Sequence, residues 1–192
     1  MPYSNEENLI IQSTCNAVLL AALSINSAEF IKSDFFKSMD FLFPKIKGMY
    51  ESGQTGVGNQ GMVLVCLYSL LVLPKELILN TYPDEYKKVN NWINEHKEET
   101  EIDTYPLGRY AEDLKHIRHL RNAVSHGNVE FDDANRENVI CIFKDKDNVG
   151  HEYQLKLSTS HVGCLVRELC LAQQKYMDDL IERDKKEKGF EA

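Results

Sequence analysis

With 192 residues the chain has the size of one ordinary domain, and its 43% apolar and 27% charged content excludes a wholly disordered polymer. A formal net charge of −8 excludes a broadly basic surface of the kind that coats duplex DNA. It leaves room for a local phosphate site, because clustered cations act within a Debye length of ~8–10 Å.

The opening residues Met1 to Glu7 place no basic region ahead of an apolar stretch, so no signal peptide is expected and the expected location is cytoplasmic. Leu9, Ile10, Val18, Leu19, Ala22 and Leu23 predict a largely buried helix over Asn8 to Leu23. Ser27 reads as the N-cap of a second helix carrying Phe30, Phe35, Met39, Leu42 and Ile46, kinked or divided at Pro44. Gly48 to Gly61, rich in glycine and polar residues, predicts a loop. A third helix runs from Met62 to Leu73, with a continuation past Pro74 towards Leu79. That apolar run is shorter than the ~20 residues a bilayer span needs, so no membrane association is expected. Pro83-Asp84-Glu85 opens a fourth helix with Tyr86, Val89, Trp92 and Ile93, and Glu95 to Asp103 follows as a charged, solvated linker.

The fifth helix is expected over about 109–127. Tyr110, Leu114, Ile117, Leu120 and Val124 make an amphipathic stripe, and Gly127 is a natural stop. Beyond it the period changes to that of strands. Val139 to Phe143 and Tyr153 to Leu157 flank a turn-rich Lys144 to Gly150, predicting a β-hairpin at about 137–157. Ser158-Thr159-Ser160 caps a last helix, about 159–186, with Val162, Leu165, Val166, Leu169, Tyr176, Met177 and Leu180 in its stripe and a charge run at its end. No internal repeat or domain boundary is visible. The expected fold class is mainly α: one domain over 1–192, a helical bundle with a small hairpin before the C-terminal helix.

Chemistry concentrates on the fifth helix. Residues three and four apart share a helix face, so Arg118, Arg121, Asn122, Ser125 and His126 should form one polar strip beside the apolar stripe. Lys115, His116 and His119 add local cationic character, and the two histidines are read as a solvated or RNA-facing pair. A guanidinium offers a fixed fork for phosphate oxygens, and an imidazole can move a proton near neutral pH. Those are the groups that cleavage of an RNA phosphodiester by its own 2′-OH requires, with no metal. The competing assignment is that a cation and a histidine at a helix end merely complement the helix dipole.

The segment Leu120-Arg121-Asn122-Ala123-Val124-Ser125-His126-Gly127 resembles the motif of the HEPN superfamily: Arg, a polar residue, a short spacer, then His, at the end of a core helix. The hairpin and the Pro74-Lys75-Glu76 segment after an apolar helix resemble one plasmid- and defence-associated branch. The resemblance implies a metal-independent endoribonuclease serving as a toxin or phage-defence effector, with no cofactor. It also implies a homodimer whose facing motif helices make a composite site. Carried onto this chain, His126 transfers protons, Arg121 holds the scissile phosphate and Asn122 orients either the histidine or the phosphate. Arg118, Ser125, His119 and Lys115 are the accompanying substrate-binding candidates. The implied partners are RNA and an antitoxin or other defence-system protein. Where one antitoxin-silenced branch carries a tyrosine two residues after the motif histidine, this chain has Asn128, so that regulation is not carried over. The alternative is a non-catalytic HEPN module that binds RNA, a nucleotide or a protein partner.

The remaining features carry less. Gly53 to Gly61 lacks the Gly-Lys-Ser/Thr ending of a phosphate-binding loop and reads as a flexible connector or a lid. Cys15, Cys66, Cys141, Cys164 and Cys170 contain no CxxC pair and are expected as free thiols, without a zinc site. His116 and His119 have helical spacing for a metal but no third ligand in view, and Trp92 is expected to anchor the core.

Overall fold

The computed structural model describes residues 3–74, 78–98, 102–135 and 138–188. Helix α1 spans Asn5–Ile25 and starts in a capping box, with Ser4 Oγ accepting from Glu7 N at 3.1 Å and Glu7 Oε2 accepting from Ser4 N at 2.7 Å. It is the one described helix long and apolar enough by composition to cross a membrane. Here Ile10, Ser13, Thr14 and Ala17 are buried against the rest of the chain.

The expected second helix is three short ones: α2 (Ser27–Lys32), α3 (Asp34–Ser38) and α4 (Pro44–Glu51). Asn26, not Ser27, precedes α2. Ser33 interrupts the run because its hydroxyl caps α3, accepting from Phe36 N at 3.1 Å. Pro44 begins α4 rather than kinking a longer helix. Gly48 therefore lies inside α4, not in the loop expected from its composition. Phe36 holds the three pieces together, edge-on to Phe30 and Phe41 with ring centroids 5.3 and 5.5 Å away.

Helix α5 (Gln60–Leu67), capped by Asn59, runs directly into a π-helical turn at Tyr68–Val72. The turn leaves the Leu70 carbonyl to Gln173 of the last helix, whose Nε2 donates to it at 2.7 Å. Gln173 Oε1 in turn accepts from Thr14 of α1 at 2.6 Å. Lys75 and Glu76, part of the segment singled out after this helix, lie outside the described residues, as do residues 99–101 of the charged linker and residue 137 of the expected hairpin. Helix α6 spans Pro83–His96, as its proline and stripe predict. Trp92 is half-buried against the core and stacks on His96.

The fifth helix is shorter than its periodicity predicts. A 3-10 turn at Glu112–Leu114 leads into α7 (Lys115–Ser125), and Arg109, Tyr110 and Ala111 are not helical. The hairpin is present, as β3 (Ile140–Lys146) and β4 (Glu152–Ser158), and belongs to an antiparallel sheet of four strands. Strand β2 (Val129–Asp132) pairs with β3, and the two-residue β1 (Ile102–Asp103) pairs with β4, giving the order β1-β4-β3-β2. Helix α8 (Thr159–Glu187) is capped by Ser158 and packs on α1, α5 and α6.

The chain is mainly helical, and its apolar core runs through both parts. Leu67, Leu70, Ile93, Leu120, Phe143, Leu155, Leu157, Leu165 and Leu169 are all fully buried. Helix α7 lies between the π-helical turn and the inner face of β3. Its apolar stripe of Ile117, Leu120, Ala123 and Val124 is buried together with His116 and His119, while Ser125 and His126 at its C-terminal end are exposed.

Candidate functional site

The site is built at the C-terminal end of α7. His126 is the helix C-cap and Gly127 follows in the left-handed region at φ 68°. Asn128 N donates to Ala123 O at 2.8 Å and Gly127 N to Val124 O at 3.3 Å, the crossed pair of bonds of a Schellman termination. The chain then turns directly into β2. That termination leaves Ser125 and His126 exposed on the last turn, one turn beyond Arg121 and Asn122.

Arg121 and Asn122 are half-buried and joined. Arg121 donates to Asn122 Oδ1 from Nη2 at 2.7 Å and from Nε at 3.3 Å. Asn122 Nδ2 donates to Asp145 Oδ2 at 3.0 Å. The same carboxylate oxygen accepts from His119 Nδ1 at 2.7 Å. Burial pushes the Asp145 carboxyl up, but the hydrogen bonds from His119 and Asn122 outweigh it and hold the carboxyl below the usual aspartate range. With the carboxylate oxygen as acceptor, His119 Nδ1 is the donor of this pair.

The expected solvated pair of histidines is not solvated. His119 is 0% exposed and His116 7% exposed. His119 stacks on Tyr153 with ring centroids 3.9 Å apart and planes 8° apart, and Tyr105 and Tyr110 close over it. His116 Nδ1 lies 2.5 Å from the Tyr153 hydroxyl. Both histidines face the inner side of the sheet, which the helix alone does not reveal, and His119 has no surface with which to meet a substrate. Lys115 is likewise engaged, in an ion pair with Asp103. Arg118 is half-buried, its guanidinium 6.0 Å from the centre of the Tyr110 ring. The structure thus brings Arg121 and Asn122 together, leaves Ser125 and His126 at the open end, and turns His119 inward.

Asp145 is the residue that sequence reasoning missed. It falls in the stretch expected as a turn, yet it lies in phase with Cys141 and Phe143, the inward positions of β3. A carboxylate in phase with apolar inward residues was the available signal. Among the described residues no group of three or more His, Cys, Asp and Glu side chains is gathered as metal ligands would be.

An apolar recess of about 270 Å³ adjoins the end of the helix, lined by Leu64, Val65, Tyr68, Val124, Gly127 and Val129. Val65 and Tyr68 are 54% and 44% exposed there, so a hydrophobic strip borders the polar one.

A family model described as HEPN pEK499 p136 matches residues 1–180, which includes α7, the sheet and most of α8. The chain belongs to the HEPN superfamily. No curated protein and no solved structure gives a significant match. Arg121, Asn122 and His126 all lie within the matched span.

Proposed function

We propose that this HEPN protein is a metal-independent endoribonuclease in which Arg121, Asn122 and His126 form the catalytic set. The observation that carries the proposal is the pairing of half-buried Arg121 with Asn122 one turn before the exposed His126. Arg121 presents a guanidinium whose orientation is set by the Asn122 amide, suited to the non-bridging oxygens of one phosphate. His126, solvent-accessible at the C-cap, transfers protons. In the reaction the ribose 2′-oxygen gives up its proton to a base and bonds to phosphorus. The bond to the 5′-oxygen breaks, and that oxygen takes a proton from an acid. The products are a 2′,3′-cyclic phosphate and a 5′-hydroxyl.

In-line attack puts the 2′-oxygen and the departing 5′-oxygen on opposite sides of phosphorus, where one imidazole does not reach both, so the proposal includes a homodimer in which two copies of α7 face each other. The apolar recess formed by Val65, Tyr68, Val124 and Val129 beside His126 supports burial of that helix end against a second copy. Ser125 and Arg118 are proposed to contact the substrate backbone, and Lys115 and His119 to support the site from behind. The proposed setting is a toxin or phage-defence effector held in check by a partner protein. The net charge of −8 favours a second reading, a non-catalytic HEPN module that binds RNA, a nucleotide or a protein partner.

The deciding experiment incubates purified protein with total RNA in EDTA, comparing wild type with His126→Ala and Arg121→Ala. Cleavage in chelator with cyclic-phosphate ends is expected from wild type. His126→Ala should lose cleavage and keep RNA affinity, because proton transfer belongs to the transition state. Arg121→Ala should lose both, and Arg121→Lys should restore little. Equal cleavage by wild type and His126→Ala, or loss of activity in EDTA, overturns the mechanism.

A further inference from the structure

We propose that Asp145 of β3 is the positioning residue of this site, setting the orientation of Arg121 through the Asn122 amide. The catalytic consequence rests on the ribonuclease reading above, whereas the positioning is a property of the folded chain alone.

Asp145 occupies the third inward position of β3 and is 6% exposed. Such a position ordinarily takes an apolar side chain, and a desolvated carboxylate there is costly unless donors surround it. Two donors meet it, His119 Nδ1 and Asn122 Nδ2, both on Oδ2. The carboxylate has only acceptor atoms, so it decides which end of the Asn122 amide faces it. The NH2 group must turn inward, and Oδ1 is then left to receive the guanidinium of Arg121. With the amide reversed, an NH2 group would face the donors of Arg121, and the pair could not form. His119, stacked on Tyr153 and met by the Tyr105 and Tyr110 rings, donates from Nδ1 to the same Asp145 oxygen and so helps to hold the carboxylate in place.

The neutral amide also separates two charges. A carboxylate paired directly with Arg121 would orient the guanidinium but compete with a phosphate for it. Relayed through Asn122, the negative charge of Asp145 stays buried, and the acceptor it turns towards the guanidinium is a neutral one. Asp145 is therefore not a catalytic residue. It acts through the amide on the group that meets the substrate.

The test uses Asp145→Asn in the full chain, followed by heteronuclear NMR of the Arg121 Nε–H and Asn122 side-chain signals and by kinetics. In the folded variant both signals should move and the Arg121 signal should report greater mobility. The kcat should fall on the order of 10²-fold with a smaller change in KM, as expected when a reacting group is mis-set rather than lost. Tyr153→Phe is the control for a purely structural effect. It removes the hydroxyl that meets His116 on the same sheet face, spares the donors to Asp145, and should leave the Arg121 signals in place. Unchanged Arg121 and Asn122 signals in folded Asp145→Asn overturn the proposal. If the signals move while wild type cleaves no RNA, the ribonuclease reading fails and the positioning role stands. Should Asp145→Asn not fold, wild type decides: a slowly exchanging, downfield His119 Nδ1 proton and a restricted Arg121 Nε–H support the proposal, and their joint absence overturns it.

Discussion

At the scale of single residues, the geometry of the site depends on how α7 ends. Gly127 has φ 68°, and no atom lies within 4 Å of where its Cβ would sit. The cost of a side chain there is conformational, not steric. Gly127→Ala should lower stability by about 1–2 kcal/mol in denaturant titration, the penalty for an L-residue in the left-handed region. Because the Schellman bonds hold His126 at the helix end, the same substitution should reduce cleavage beyond what the stability loss explains. An unchanged denaturation midpoint would mean that another termination serves equally well. His119 teaches the opposite lesson. Its type and spacing match a substrate-facing residue, and only the sheet laid over that part of α7 makes it a buried partner of Asp145.

Among the elements, α1 and α8 are joined by one polar clamp and one buried network. Arg183 donates to both Glu7 oxygens, at 2.8 and 3.0 Å, and the hydrogen bond from Arg183 holds the Glu7 carboxyl down to about 2. The folded value lies below the ordinary one, so the clamp's contribution is fully present above about pH 4.5 and drains away as pH falls towards about 2. Across that window Tm should fall more steeply for wild type than for Glu7→Gln, whose acid limb should be flatter. Parallel curves for the two proteins would show that the clamp contributes nothing to the fold. The buried network of Thr14, Gln173 and the Leu70 carbonyl does not titrate in this range, and it ties both helices to the π-helical turn against which α7 packs.

For the whole molecule, the proposal of a composite site makes assembly part of the chemistry. Light scattering at micromolar concentration should report a dimer. Val65→Glu places a charge on an exposed position of the recess beside His126, where the folded monomer can solvate it. That variant should be a folded monomer with little ribonuclease activity. A wild-type monomer at these concentrations, or a Val65→Glu variant that stays dimeric and active, removes the recess from the interface.

The amphipathic stripe of α7, its glycine stop, the Arg121-Asn122-x3-His126 pattern, the hairpin and the capped last helix could all be read from the sequence. Each is a local property: helical period, cap chemistry, or alternation over a few residues. The limits of that legibility are equally physical. Ser33 and Pro44 divide the second helix because local hydrogen bonding and proline geometry prevail over an apolar spacing that looks continuous. The start of α7 is misplaced because Tyr110 continues the stripe in sequence while sitting in a bend ahead of the 3-10 turn, its ring edge-on to His119. Strand β1 is two residues long and carries no pattern of its own, and β2 alternates over only four. Both exist because β4 and β3 offer them edges. The motif residues were thus determined by the sequence itself, since they lie within one helical turn and a half. The burial of His116 and His119, the engagement of Lys115 and the carboxylate behind Asn122 were decided only by the tertiary structure. Asp145 is distant in sequence from the motif and reaches it across a sheet–helix interface, and no local period encodes a contact of that range.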